Sequence, residues 1–140
     1  MGLSIQVLDD NPFYATLLEH QLMNEIKRNY EAHTDYFKVT SFTDHSAFLT
    51  ALPSTHSISL IDYNLGNGMT GLDLLQQIKQ AAPHCKVIIM TNENNLHVMP
   101  SCLSTGAAGF ILKDNTTIDL CQMIIHNTIN SSTFPYKLLF

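Results

Sequence analysis

The chain alternates short, apolar, β-branched runs with longer segments of helical period, and it does so five times. Strands are predicted at Leu3–Leu8, Phe37–Phe42, Ile58–Ile61, Val87–Met90 and Gly109–Leu112. The segments between and after them carry apolar residues three or four positions apart. Examples are Phe13, Leu17, Leu22 and Ile26, or Ile118, Cys121, Ile125 and Ile129. That spacing gives a helix one broad apolar face to lay on a sheet. Strict alternation of β and α leaves few architectures, because each crossover between parallel strands is right-handed and puts its helix on a face of the sheet. The fold class is therefore α/β, a doubly wound five-stranded parallel sheet in a three-layer sandwich. VIIM at 87–90 and GFIL at 109–112 read as central strands buried on both faces, and the alternating FKVTSF at 37–42 reads as an edge. Pro12, Gly71, Pro83 and Gly106 fall where helices should start or stop. Pro100 lies inside the fourth predicted helix, which must start near it or be distorted there.

Composition narrows the class further. A chain of 140 residues has the size of one domain and can bury a core without disulfides or a structural metal. With 45% hydrophobic and 14% charged residues it falls outside the composition that stays disordered. A net charge of −5 with only seven Lys and Arg argues against direct nucleic-acid binding. Cys85, Cys102 and Cys121 are odd in number and form no CxxC, so buried thiols in a reducing compartment are expected. The absence of a signal-like N-terminus or a long apolar run leads to the expectation of a cytoplasmic protein with no membrane partner. The domain is expected over 1–130, followed by a tail or severed linker, SSTFPYKLLF, at 131–140.

In open α/β sheets the ligand crevice lies beyond the carboxyl ends of the strands, and the residues that end the strands here are polar. Strand one ends in Asp9 and Asp10, strand three in Asp62, strand four in Thr91 and strand five in Lys113. An Asp after a strand is commonly a helix cap, and Thr91 taken alone reads equally well as one. Agreement among several strand ends exceeds what capping explains. Three carboxylates against one ammonium leave a formal charge of about −2, which a divalent cation would relieve; oxygen donors with room for water and phosphate favour Mg2+.

VLDDNP at 7–12, SLIDYNLGNGMTGLDLL at 59–75, VIIMT at 87–91 and AAGFILK at 107–113 resemble the receiver domains of two-component response regulators, and the resemblance covers roughly residues 3–130. It implies a flavodoxin-like sheet of strand order 2-1-3-4-5. It also implies Asp62 as phosphoacceptor and Mg2+ held by Asp10, Asp62 and the Asn64 main-chain carbonyl, with Asp9 acting through water. Thr91 and Lys113 would contact phosphoryl oxygens. Thr91 and Phe110 would be the switch that reshapes the face made by helix four, strand five and helix five. The implied partners are a sensor histidine kinase or phosphotransfer protein upstream and an effector domain or protein downstream, with a phosphorylation-dependent homodimer left open. FILKDNTTIDL is similar to receivers joined to helix-turn-helix domains. The chemistry agrees: an aspartate nucleophile makes an acyl phosphate, and phosphoryl transfer asks the protein for alignment and positive charge.

The chain departs from the family pattern in four places. Gly66 stands where proline is usual, and Gly71 comes one residue later than in the commonest spacing, so a more mobile loop is expected. Asn92 replaces a small residue after Thr91, from which slower transfer or altered water access follows. Asp114 replaces the proline after Lys113, so a trans peptide is expected. Other readings fit less well. A haloacid-dehalogenase-like phosphatase would need an acid at Asn64, a flavodoxin needs a phosphate loop where DDNPF stands, and a cobalamin module wants histidine at 64. The seven histidines show no metal-ligand spacing. The alternative of another class is a phosphorylation-independent (pseudo-receiver) interaction module.

Overall fold

A computed structural model describes residues 2–131. The tail expected at 131–140 lies outside the described residues except for Ser131. Five strands, β1 (Leu3–Leu8), β2 (Phe37–Phe42), β3 (Ser57–Asp62), β4 (Cys85–Thr91) and β5 (Gly109–Leu112), form one sheet of order β2-β1-β3-β4-β5 with every pairing parallel. The helices are α1 (Pro12–Asn29), α2 (His45–Thr50), α3 (Gly71–Ala81), α4 (Met99–Thr105) and α5 (Thr117–Ile129). This is the flavodoxin-like order, and β2 is an edge as its alternating sequence requires.

Two apolar layers sandwich the sheet. On one face Ile5, Val7, Leu60, Ile88 and Met90 meet Leu18, Leu22 and Ile26 of α1 and Cys121, Ile125 and Ile129 of α5. On the other face Leu8, Ile61, Val87 and Ile89 meet Phe48 of α2, Leu74, Leu75 and Ile78 of α3, and Cys102 of α4. All three cysteines are buried and free. Among the described residues, no helix is long and apolar enough to cross a membrane.

Local chemistry sets the helix ends. The Asn11 side chain accepts from the N–H groups of Phe13 and Tyr14, and Pro12 occupies the first helical turn of α1. Thr70 and Asp73 form a reciprocal capping box on α3. Pro100 sits in the first turn of α4, after a 3-10 stretch at Glu93–Val98, so this helix starts at its proline and is not kinked by it.

Two expectations are corrected. The buried stripe of α1 is Ala15, Leu18, Leu22 and Ile26, whereas Phe13 is 79% exposed and Leu17 is also exposed. At 100° per residue, positions 13 and 17 point away from the stripe centred on 18, 22 and 26. β5 is an edge strand, and only Ile111 of its four residues is fully buried. A short apolar run fits a covered edge as well as a centre, since α5 covers one side of β5 and α4 packs against the other.

Candidate functional site

Parallel strands aim all their carboxyl ends the same way, so residues far apart in sequence meet at one edge of the sheet. Asp9 follows β1, continues its ladder by donating from its N–H to Phe42 O at 3.1 Å, and is buried. Its Oδ1 accepts from the Asn11 N–H at 2.9 Å and its Oδ2 from Lys113 Nζ at 2.5 Å. Asp62, the last residue of β3, has a side chain only 10% exposed, with Oδ1 3.0 Å from Lys113 Nζ. Asp10 is exposed at the mouth. Each of the three aspartates offers an oxygen within 4.8 Å of the others.

The electrostatics show a site short of positive charge. Burial pushes the Asp62 carboxyl up to about 6; Lys113 opposes this, while the charges of Asp9 and Asp10 reinforce it. Burial alone would lower the Lys113 ammonium, but the Asp9 hydrogen bond and the charges of Asp62 and Asp9 outweigh it and hold it above the ordinary lysine value. The donors are hard oxygens in a space short of positive charge, so the residues fit Mg2+.

The loop from β3 to α3 follows Asp62 directly. Tyr63 N–H donates to Met90 O at 2.8 Å, Gly71 N–H to Tyr63 O at 2.7 Å, and Leu65 N–H to Met69 O at 3.2 Å. Asn64 and Thr70 thus face each other as a non-hydrogen-bonded antiparallel pair, which leaves the Asn64 carbonyl outside that ladder. The extra residue is taken up in a turn at Gly66–Met69, with positive φ at Asn67 and Gly68 as a type I′ turn requires. The loop thus forms a small hydrogen-bonded hairpin. Gly66 has φ +76°, which proline cannot adopt, and a methyl group there would lie 3.4 Å from Asp10 Oδ2. A methyl group at Gly71 would lie 3.0 Å from Asp62 O and 3.1 Å from Tyr63 Cα, so α3 can begin this close to β3 only with glycine.

Thr91 ends β4 fully buried, and its Oγ1 has no hydrogen-bond partner among the described residues. Ile89 pairs with Phe110, so Thr91 and the half-buried Phe110 project on the same face of the sheet, two residues out of step. The Asn92 side chain accepts from the Asn94 N–H at 3.1 Å and caps the following 3-10 stretch. No peptide bond is cis among the described residues, so Lys113–Asp114 is trans.

The response regulator receiver domain model matches residues 5–125. The chain belongs to this family. The receiver domain is 33% identical to the transcriptional regulatory protein ComA of Bacillus subtilis over 73 residues, which cover 52% of this chain and 34% of ComA. It is 32% identical to the two-component response regulator ORR12 of Oryza sativa subsp. japonica over 91 residues, 62% of this chain and 74% of that protein. Among solved structures, a CheY-like receiver domain protein from Methanospirillum hungatei matches with a TM-score of 0.72 at 21% identity, covering 91% of this chain and 94% of the other.

Two residues of the receiver site escaped the sequence reading. The Tyr14 ring lies against Lys113, whose Nζ is 4.5 Å from the ring centroid. Thr117 Oγ1 donates to Leu112 O at 2.8 Å and accepts from the Asp114 N–H at 2.9 Å. Tyr14 carries a weak signal, since it lies about one helical turn past Asp10 on a helix that starts at the crevice. Thr117 carries none, being one of two adjacent threonines at a helix start.

Proposed function

We propose that the receiver domain accepts a phosphoryl group on Asp62 from a phosphohistidine of a sensor histidine kinase or phosphotransfer protein, in a Mg2+-dependent reaction, and that it acts as a signalling phosphoacceptor and not as a stand-alone enzyme. The observation that carries this reading is Asp62 itself. It is a nearly buried carboxylate at the end of a central strand, held 3.0 Å from Lys113 and grouped with two further aspartates. An Asp62 carboxylate oxygen bonds to phosphorus as the P–N bond breaks, and the bonding pair stays on the departing imidazole. Lys113 balances charge on the incoming oxygens, and the unpartnered Thr91 hydroxyl is available to donate to one of them. Asp10, Asp62 and the Asn64 carbonyl would hold Mg2+, with Asp9 acting through water because Lys113 and the Asn11 N–H already engage its oxygens. Mg2+, when bound, supplies further positive charge to the phosphoryl oxygens.

For the output, Thr91 and Phe110 are proposed as the switch. Phosphate moves a two-state equilibrium only through contacts that differ between the states, and a buried hydroxyl without a partner can make such a contact. Phe110 lies on the same face of the sheet as Thr91, and Met99 and Leu103 of α4 and Met123 of α5 are exposed. That face of α4, β5 and α5 suits an effector domain or protein, or a second copy after phosphorylation. A transcriptional output is proposed by analogy with ComA, of which the chain spans 34%.

The test is incubation with a small phosphodonor and Mg2+, followed by intact-mass measurement. One alkali-labile phosphoryl group on the wild type and none on Asp62→Asn is expected. Wild type that stays unmodified would favour the phosphorylation-independent module, and equal uptake by the variant would move the acceptor elsewhere.

A further inference from the structure

Lys113 contacts two carboxylates, yet its ammonium rides on a four-carbon stem with the side chain 20% exposed. Left to itself, such a side chain spends much of its time in other rotamers, and ordering it costs conformational entropy. Two residues outside the acidic set lie against Lys113 or its flanking peptides. The Thr117 hydroxyl donates to Leu112 O and accepts from the Asp114 N–H, so one oxygen ties the peptide groups on both sides of Lys113. The Lys113 ammonium lies over the Tyr14 ring, 4.5 Å from its centroid, and the Tyr14 phenol neighbours the Thr117 hydroxyl. Tyr14 stands in the first turn of α1, whose Asn11 cap also anchors Asp9, so ring and carboxylate belong to one rigid piece of backbone.

We propose that Tyr14 and Thr117 form a clamp of positioning residues that aims Lys113 between Asp9 and Asp62. The clamp depends on residue 114 having an N–H. A proline there would have none to give Thr117, whereas Asp114 supplies it through a trans peptide. In this clamp both residues act through the lysine. The consequence for rate rests on the phosphoacceptor reading, but the clamp itself rests on the geometry alone.

The test uses the full chain in five forms: wild type, Tyr14→Leu, Tyr14→Phe, Thr117→Val and Thr117→Ser, each checked for a cooperative melting curve. The first readout is the NMR shift of the Lys113 side-chain resonances, which lie in the ring current of Tyr14. Tyr14→Leu should move them toward those of an exposed lysine, and Tyr14→Phe should leave them in place. The second is the initial rate of phosphorylation by phosphoramidate at saturating Mg2+. Tyr14→Leu should slow it about threefold to tenfold, the range for a partly desolvated cation–π contact, with Phe restoring it. Thr117→Val should slow it comparably, with Ser restoring it. Lys113 resonances unmoved in Tyr14→Leu overturn the clamp, as does an unchanged rate in both Tyr14→Leu and Thr117→Val. If the wild type takes no phosphate, the phosphoacceptor reading fails, and the Lys113 resonances alone decide the clamp.

Discussion

Replacing Asp62 by asparagine should stabilise the metal-free protein at neutral and alkaline pH. The folded state holds the Asp62 carboxyl at about 6, against 3.8 for the free group, because burial disfavours its charge. Between those values the folded state binds more protons than the unfolded state, so stability falls as pH rises from about 4 to about 6, and the full cost persists above that. Two units correspond to about 3 kcal/mol as a ceiling. The side chain retains some contact with water, so about 1–2 kcal/mol is the working expectation. Asparagine keeps the shape, drops the charge and avoids that cost. For a chain of this length each kcal/mol shifts the midpoint by about 3–5 °C. The assay is thermal or urea unfolding of both proteins in chelator, from pH 4.5 to pH 8. Asp62→Asn should be more stable at pH 8, with the gap shrinking toward pH 4.5 as wild-type Asp62 protonates, and added Mg2+ should narrow the gap at pH 8. A gap that is absent at pH 8, or constant across the range, would refute the argument that burial of an underpaid charge governs this site.

Other expectations are more local. Mg2+ should raise the melting temperature of the unphosphorylated wild type by mass action, and Asp10→Ala should remove most of that rise; an equal shift in the variant would place the metal elsewhere. Thr91→Ala should keep some phosphorylation yet lose the phosphate-dependent chemical-shift changes at Phe110 and along α4 and α5; shifts of full size would route the coupling by another path. Gly71→Ala should destabilise by about 1–3 kcal/mol in urea unfolding, since its methyl group would press on Asp62 O and Tyr63 Cα. Gly66→Pro, although it installs the residue usual in the family, should destabilise as well, because φ of +76° excludes proline; a neutral outcome would mean that the hairpin readily refolds around it.

Much of this molecule follows from one-dimensional pattern. Five strands and the helices between them can be read because hydrophobic period is a local property, and once the units alternate, chirality leaves little choice of topology. Asp9, Asp10, Asp62, Thr91 and Lys113 could be gathered in advance for the same reason: parallel strands send their carboxyl ends to one edge whatever the details of packing. Contacts that depend on where a side chain lands after the layers close were not legible. Phe13 and Leu17 look like core by spacing, yet they face outward because the sheet meets α1 along Ala15, Leu18, Leu22 and Ile26. The β3–α3 loop is a closed hairpin because Asn67 and Gly68 take positive φ and Thr70 finds Asn64 across the turn. Tyr14 meets Lys113, nearly a hundred residues away, only because α1 and β5 pack at the same end of the sheet. Local sequence thus determined the elements and which of their ends carry chemistry, since period and chirality act over a few residues. The tertiary structure alone decided which groups hold Lys113 in place, because those contacts arise where distant elements pack.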